Sequence, residues 1–195
     1  MSVKKAVPWS PENLWPLPAT TVMVSCVGET SPPNIITIGA SGIASARPPL
    51  ISLAFGVKRY SLKLIMETED FVVNVPSSEQ ALITDWCGRV SGQNVDKFKD
   101  GNLTPGKSLK IKSPYIVECP VNYECTLWKV VNCGSHDLLL GEVQQVHIDQ
   151  SILSEDGDSL DASKSDLLVS LQMEYWDMGK SLGRWGGLWR RKDEQ

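Results

Sequence analysis

Residues 20–40 read TTVMVSCVGETSPPNIITIGA, and this stretch decides the fold class. It holds two apolar, β-branched runs, Thr20–Val27 and Asn34–Ala40, separated by a turn at Pro32-Pro33. Short runs of this kind, bounded by proline and glycine, are typical of buried strands. The stretch therefore predicts two neighbouring β-strands.

The following runs repeat this pattern. Leu50–Val57 comes directly after Pro48-Pro49, and Phe71–Val75 stops at Pro76. Strands this apolar and this closely spaced favour a closed barrel over a sheet with one solvated face.

A longer hairpin is predicted further along the chain. Val121–Val131 alternates with a period of two until Trp128, where the pattern shifts and a bulge is possible. Leu138–Ile148 is the expected partner strand. The fold class predicted is mainly β: a β-barrel with peripheral helices.

Two helices are predicted at the edge of the barrel. Ser61–Glu67 is short and begins with a serine that suits a helix cap, and Ser77–Arg89 begins with an S-x-x-Q capping box. Leu82, Ile83 and Trp86 follow at helical spacing and are expected to face the core. Residues 90–113 are polar and contain glycine, which predicts a long loop, and loops of this length are commonly functional.

The whole chain of 195 residues is interpreted as one domain, residues 1–195. The barrel is expected over about residues 18–150, an acidic excursion over about 149–166, and a Trp- and Gly-rich extension over about 167–195. Trp176, Trp185 and Trp189 are expected to pack on the barrel, on a partner subunit or over a ligand, because large aromatics are rarely left exposed.

Composition excludes several classes of protein. A net charge of -4 and a pI near 5.2 argue against nucleic-acid binding. The sequence has no apolar run of membrane-spanning length and no signal-peptide pattern, so a cytoplasmic location is expected. Five cysteines without a C-x-x-C pair, and two histidines, predict buried thiols and no metal site.

No catalytic residue of the chain itself is predicted. The sequence lacks a G-x-G-x-x-G turn, a Walker A loop and a G-x-S-x-G elbow, and neither His136 nor His147 has the spacing of a catalytic triad. If the protein is an enzyme, a bound cofactor is expected to supply the chemistry.

Two short segments are candidates for binding such a cofactor. Lys58–Ser61 joins a strand to a helix, and its Arg, Ser and backbone N–H groups suit a phosphate; the alternative is a surface Arg beside a helix cap. Thr37–Gly42 is rich in small residues that allow the backbone to approach a flat ligand; the alternative is a strand that ends in a loose turn.

Taken together, the motifs resemble the flavin-reductase-like family, whose members form an FMN-binding split barrel and commonly a homodimer. The likeness covers nearly the whole chain. The matching segments are Thr21–Ser25, Asn34–Gly39, Pro48-Pro49, Arg59–Ser61, Phe71–Pro76, Asp96–Phe98, Glu118–Cys125 and Gly134–Val143. The spacing before Asp96 and the Tyr175-x-x-x-Gly179-x-x-x-Gly183 tail resemble the flavoredoxin branch.

The resemblance implies a set of FMN-binding residues. The isoalloxazine ring would lie against residues after the second strand, which are Thr37, Ile38, Gly39, Ala40 and Ser41. The phosphate would bind Arg59, Tyr60 and Ser61, with Lys97 as a second cationic contact. The loop 86–96 would lie near the same pocket, and His136 is either on the nicotinamide side or an ordinary hairpin-turn residue.

The resemblance also implies an oxidoreductase that passes electrons from NADH or NADPH through bound FMN to a protein or small-molecule acceptor, as a homodimer. The alternative is a flavoredoxin-type electron carrier with no nicotinamide activity of its own. A third possibility is a barrel that retains the fold alone.

Overall fold

The structure, a computed structural model, describes residues 4–10, 17–183 and 185. These residues form ten β-strands and three α-helices. The strands are β1 (Ala19–Cys26), β2 (Asn34–Ala46), β3 (Pro49–Gly56), β4 (Asp70–Val75), β5 (Pro105–Gly106), β6 (Tyr115–Ile116), β7 (Val121–Asn132), β8 (His136–Ile148), β9 (Val169–Leu171) and β10 (Glu174–Trp176). The helices are α1 (Tyr60–Thr68), α2 (Ala81–Arg89) and α3 (Lys97–Asp100).

Six strands close a barrel in the order β1-β2-β3-β8-β7-β4, and β4 pairs back with β1. All neighbours are antiparallel. Alternate residues point inward and fill the barrel with apolar side chains, among them Val24, Ile36, Phe55, Phe71 and Leu139. The prediction of a mainly β barrel is therefore confirmed, and closure leaves these six strands without a free edge.

Strand β2 is longer than predicted and contains the small residues that were expected to follow it. It runs to Ala46, and its register with β1 shifts between the pairs Val22↔Ile38 and Thr20↔Ser41. The loose turn considered for this segment is wrong, because pairing with β1 and then with β3 extends the strand. Gly39 lies at the resulting bulge.

Helix α1 fills one end of the barrel. Its Leu62, Leu64 and Ile65 side chains join the barrel core. The predicted cap Ser61 is wrong, since the helix begins one residue earlier, with Arg59 in the N-cap position and no side-chain cap. Ser61 is buried, and its hydroxyl instead accepts a hydrogen bond from Asn34 Nδ2 at 2.8 Å.

Helix α2 packs against the outside of β1 and β2. The capping box is confirmed, since the Ser77 N–H donates to Gln80 Oε1 at 2.9 Å, and a 3₁₀ turn precedes the α-helix. Ile83 and Trp86 pack in the outer core as predicted, but Leu82 is 84% exposed. The buried residues of the helix, Thr84 and Cys87, lie on the side nearly opposite Leu82.

The segment 90–113 is less irregular than predicted. It contains α3, whose first turn is capped by the Asp96 side chain, and β5, which pairs with β6. Further on, the buried Asp70 carboxylate accepts hydrogen bonds from the N–H groups of Lys112 at 3.1 Å and Ser113 at 3.0 Å. A charged acceptor on β4 thus holds the end of this segment in place.

Glu124 of β7 is a second anchor for the same segment. Its fully buried carboxylate accepts hydrogen bonds from the N–H groups of Leu109 and Lys110, both at 2.7 Å. His147 Nε2 lies 2.6 Å from the same carboxylate, and its ring stacks on Tyr115. Burial raises the pKa of Glu124, but the hydrogen bonds from His147, Leu109 and Lys110 outweigh it and lower the pKa.

The other predicted features are mostly confirmed. The hairpin of β7 and β8 has a bulge between Leu127 and Lys129, as well as a second one next to Glu124. Four cysteines are buried, and burial raises the pKa of Cys26 to about 12 and that of Cys87 to about 11. The expectation is wrong for Cys133, which is exposed at the hairpin end. None of the helices described is long and apolar enough to span a membrane.

The C-terminal part forms a hairpin of β9 and β10 that extends the sheet next to β1. Gln172 and Met173 make its turn with positive φ angles of 52° and 62°. Trp176 is 49% exposed, whereas Trp185 is fully exposed and does not pack on the barrel of its own chain. Trp189 lies outside the described residues.

Candidate functional site

A first cleft lies between the start of α1, the end of α2 and the loop that follows α2. We call it the basic cleft. It is lined by Asn34, Ile36, Lys58, Arg59, Tyr60, Ser61, Cys87, Gly88, Arg89, Val90, Ser91, Gly92, Gln93 and Lys97.

The basic cleft contains charges of one sign. Four of its lining residues are cations, Lys58, Arg59, Arg89 and Lys97, and none is a carboxylate. A concave surface with only positive charge attracts anions and raises their local concentration. The arrangement thus suits a phosphate or a carboxylate ligand.

Lys97 is the most unusual of these cations because it is buried. Its ammonium donates to the carbonyl oxygens of Ile35 and Cys87, both at 2.6 Å, and it is in no ion pair with a carboxylate of the described residues. Cys87 is in the last turn of α2, where carbonyls have no partner within the helix. Burial, and to a smaller degree Arg59, lower the pKa of Lys97.

Two further features of the basic cleft are suited to a ligand. The Asn34 side-chain oxygen is buried without a hydrogen-bond partner, and such an atom costs about 1–3 kcal/mol unless a donor reaches it. The loop after α2 also passes so close that a Cβ on Gly92 would lie 1.9 Å from that oxygen. Glycine is therefore required where this loop covers Asn34.

A second cleft adjoins the first, and we call it the hairpin cleft because the β9–β10 hairpin forms one wall. It is lined by Leu17, Thr21, Thr37, Gly39, Asp85, Gly88, Arg89, Ser170, Gln172, Met173, Glu174 and Tyr175. Gly88 and Arg89 line both clefts. The two clefts therefore adjoin at the end of α2, where these two residues stand between them.

A hydrogen bond between β2 and α2 holds the floor of the hairpin cleft in place. The Thr37 hydroxyl donates to the Thr84 carbonyl at 2.5 Å. The Thr21 hydroxyl is buried at the same place and has no partner. On the far wall, the Tyr175 hydroxyl donates to Asp85 at 3.3 Å.

The structure divides the predicted ring-binding residues into two groups. Thr37 and Gly39 line the hairpin cleft, whereas the Ile38 side chain is in the barrel core. Ala40 lines neither cleft, and Ser41 bonds to Thr20 instead. The bulge in β2 breaks the strict alternation, so Ser41 does not share the face of Thr37.

The predicted phosphate-binding residues all lie in the basic cleft: Arg59, Tyr60, Ser61 and Lys97. Residues 87–93 of the predicted nearby loop line it as well. His136 is exposed at the start of β8, opposite Gly56, and lines neither cleft.

Sequence reasoning placed Arg89 near the site only as part of the loop 86–96, and it missed Asp85, Met173 and Tyr175 of the hairpin cleft. Asp85 and Arg89 are one helical turn apart on α2, a pattern that also describes an ordinary surface pair. Met173 and Tyr175 follow the barrel by more than 20 residues, as the end of β8 at Ile148 shows. Only the tertiary pairing of β9 with β1 brings them to the site.

Comparisons with known proteins agree with the fold. Residues 16–170 match the family model of the flavin reductase like domain. An uncharacterised protein of Archaeoglobus fulgidus is 38% identical over 148 residues, which is 75% of this chain and 79% of the relative. An NADH flavin reductase of Kitasatospora aureofaciens is 25% identical over 129 residues, covering 65% of this chain and 64% of the relative.

The architecture is also similar to that of a solved flavoredoxin. The flavoredoxin of Desulfovibrio vulgaris (Miyazaki F) superposes with a TM-score of 0.87 at 28% sequence identity. The superposition covers 95% of this chain and 99% of that one. The similarity therefore extends over nearly the whole chain.

Proposed function

This chain belongs to the flavin-reductase-like family, and on that premise we propose that it is an oxidoreductase that binds FMN across the two clefts. Electrons pass from NADH or NADPH to a protein or small-molecule acceptor. The observation that carries the proposal is the basic cleft, whose four cations face no lining carboxylate and which shares Gly88 and Arg89 with the hairpin cleft.

The residues of the basic cleft fit the phosphate of FMN. Arg59 and Lys97 supply charge, the Ser61 hydroxyl and the uncapped first turn of α1 supply neutral contacts, and Tyr60 closes the side. A dianion would also give the buried Lys97 ammonium a counterion that the described part of the chain does not provide.

The hairpin cleft fits the flat ring. Thr37 and Gly39 offer a polar group and open space on the floor, with the main chain of Ile38 and Ala40 beside them. The bound flavin supplies hydride and electron transfer, so the chain needs to orient the ring and exclude water rather than provide a nucleophile.

The nicotinamide step is tested by rapid mixing. FMN-loaded protein, mixed anaerobically with NADH and separately with NADPH, is expected to lose its flavin absorbance within the time of a turnover. FMN-loaded protein mixed with buffer alone is the control for bleaching by the protein's own thiols, of which Cys133 is exposed. Absorbance that persists for minutes with both nucleotides would contradict the reductase.

A specific observation favours a second candidate, an electron carrier without nicotinamide activity. The hairpin turn of Gln172 and Met173 stands in the wall of the hairpin cleft, where it would limit the space for a nicotinamide beside the flavin ring. The similar structure from Desulfovibrio vulgaris is a flavoredoxin. Persistent absorbance with both nucleotides, followed by bleaching with dithionite, would support the carrier.

A homodimer is part of the proposal. An apolar hollow of about 470 Å³ lies at the end of the barrel opposite α1, where Val22, Leu50 and Val143 line it and Ile43 is 88% exposed. A second copy of this chain would cover it. Sedimentation equilibrium is expected to give a dimer, and Ile43→Lys a monomer, whereas Leu82→Lys on α2 should leave the dimer intact. A monomeric wild-type protein would contradict this proposal.

A cytoplasmic location completes the proposal. It is supported by the cysteines, since all five are unpaired and four are buried. Unpaired thiols persist in a reducing compartment.

A further inference from the structure

Asp85 stands between the two clefts and uses both of its carboxylate oxygens. Oδ1 accepts the hydrogen bond from the Tyr175 hydroxyl at 3.3 Å, and Oδ2 lies 3.9 Å from Arg89 Nη1. Tyr175 belongs to the hairpin that walls one cleft, while Arg89 lines both. Asp85 is therefore the residue that connects the hairpin with a cation of the anion-binding surface.

We propose that Asp85 is a positioning residue that sets the preference for phosphorylated flavin, because Asp85 and the incoming phosphate compete for the Arg89 guanidinium. This inference rests on the proposed function, since it assumes that FMN occupies the two clefts. It adds Arg89 to the residues that contact the phosphate and strengthen FMN binding, whereas Asp85 weakens FMN binding by holding Arg89.

The geometry of the pair supports this competition. Asp85 and Arg89 are at i and i+4 on α2, with side chains 43% and 78% exposed, and at 3.9 Å their contact is long. Exposed pairs of this kind are weak, whereas a phosphate within a cleft of three other cations is a stronger partner. Arg89 is therefore free to change partner at small cost.

The hydrogen bond between Asp85 and Tyr175 of the hairpin is expected to remain in place when Arg89 moves from Asp85 to the phosphate. Burial and the Asp85 carboxylate raise the pKa of Tyr175, so its hydroxyl stays protonated and continues to donate. Strand β9 is held independently by its pairing with β1 and by the Ser170 hydroxyl, which donates to the Ala19 carbonyl at 3.4 Å. Phosphate binding thus alters the partner of Arg89 without opening the hairpin cleft.

The test compares FMN with riboflavin, which has the same ring and ribityl chain but no phosphate. Asp85→Asn keeps an acceptor for Tyr175 and removes the charge that holds Arg89. We expect it to tighten FMN binding roughly 2- to 5-fold, the size of an exposed ion pair, and to leave riboflavin binding unchanged. Arg89→Gln should weaken FMN binding and spare riboflavin, and Tyr175→Phe should weaken both ligands by the same factor.

The matched control is Asp161→Asn, which removes the same charge from an i,i+3 pair with Lys164 in the acidic excursion. It should change neither affinity. Equal shifts of FMN and riboflavin in Asp85→Asn, or no shift of either, would overturn the coupling while leaving FMN binding by the wild-type protein in place. A wild-type protein that binds neither flavin would instead overturn the proposed function itself.

Discussion

Replacing Lys97 by methionine is expected to weaken FMN binding roughly 10- to 100-fold and to leave riboflavin binding nearly unchanged. The ammonium has three donors, of which the carbonyls of Ile35 and Cys87 use two. The third is available to the basic cleft, where no lining residue is a carboxylate. Methionine keeps the length and apolar volume of the side chain and removes only the charge and its donors.

Flavin fluorescence quenching measures both affinities in the same titration. Lys63→Met is the control, since Lys63 is an exposed residue of the neighbouring α1 and should have no effect. Arg59→Ala changes an exposed N-cap residue and should also weaken FMN binding without weakening riboflavin binding. Because Arg59 is exposed, this loss cannot come from a folding defect of the kind that replacing the buried Lys97 could cause. An equal loss of FMN and riboflavin affinity in Lys97→Met would show that Lys97 supports the fold and does not contact the phosphate.

The stability of Lys97→Met is expected to change less than its FMN affinity. Burial lowers the pKa of Lys97, because burying the charged ammonium opposes folding. Methionine removes the cost of burying a charge, but it leaves the carbonyls of Ile35 and Cys87 without the hydrogen bonds that the ammonium donates. Because these effects oppose each other, we expect the free energy of unfolding to change by less than about 2 kcal/mol.

The largest effect on stability is expected from Glu124→Gln, which should lower the free energy of unfolding by about 2–4 kcal/mol at pH 7. The carboxylate accepts hydrogen bonds from Leu109 and Lys110 and contacts His147, all within 2.7 Å. A glutamine amide must turn its NH₂ group toward one of these donors. The loss is measured by urea unfolding, with Glu155→Gln in the exposed excursion as the control.

The pH dependence of this deficit follows from the lowered pKa of Glu124. A carboxyl group whose pKa is lowered by folding contributes stability above its unfolded pKa, near 4.5, and loses it as the pH falls through the folded pKa. The difference between wild type and Glu124→Gln should therefore shrink below about pH 4.5. A deficit that stays constant down to pH 3, or that is absent at pH 7, would contradict the anchoring role.

Much of the barrel is predictable because local sequence and burial agree there. The apolar run around Val24 fits a strand with two covered faces: closure of the barrel covers the inner face, and α2 packs on the outer face. The capping box at Ser77 is likewise a local hydrogen-bond pattern that is legible in the sequence. In these elements the short-range pattern and the tertiary structure favour the same conformation.

The structure differs from the sequence prediction where contacts with residues distant in sequence determine the local conformation. Ser41 reads as part of a flexible turn, but pairing with β1 and β3 places it inside a strand beyond a bulge. Leu82 fits the apolar face by spacing, yet the 3₁₀ turn before α2 helps to orient the helix with Cys87 inward. Neither outcome can be predicted from the ten neighbouring residues alone.

The candidate site likewise contains residues that local sequence predicts and residues that only tertiary contacts bring together. Arg59 and Ser61 are recognisable because they lie together at the start of a helix, and Lys97 is recognisable only through resemblance. Its burial against two backbone carbonyls gives no signal in the sequence. Asp85 and Tyr175 are 90 residues apart and meet only because β9 pairs with β1.

The central claim is that the basic cleft receives the phosphate of FMN while the hairpin cleft receives its ring. The most direct test is a titration of the purified wild-type protein, freed of bound flavin, with FMN and with riboflavin. We predict one FMN per chain with a Kd on the order of micromolar or tighter, and riboflavin binding at least about tenfold weaker. No binding of FMN, or equal affinity for the two flavins, would contradict the assignment.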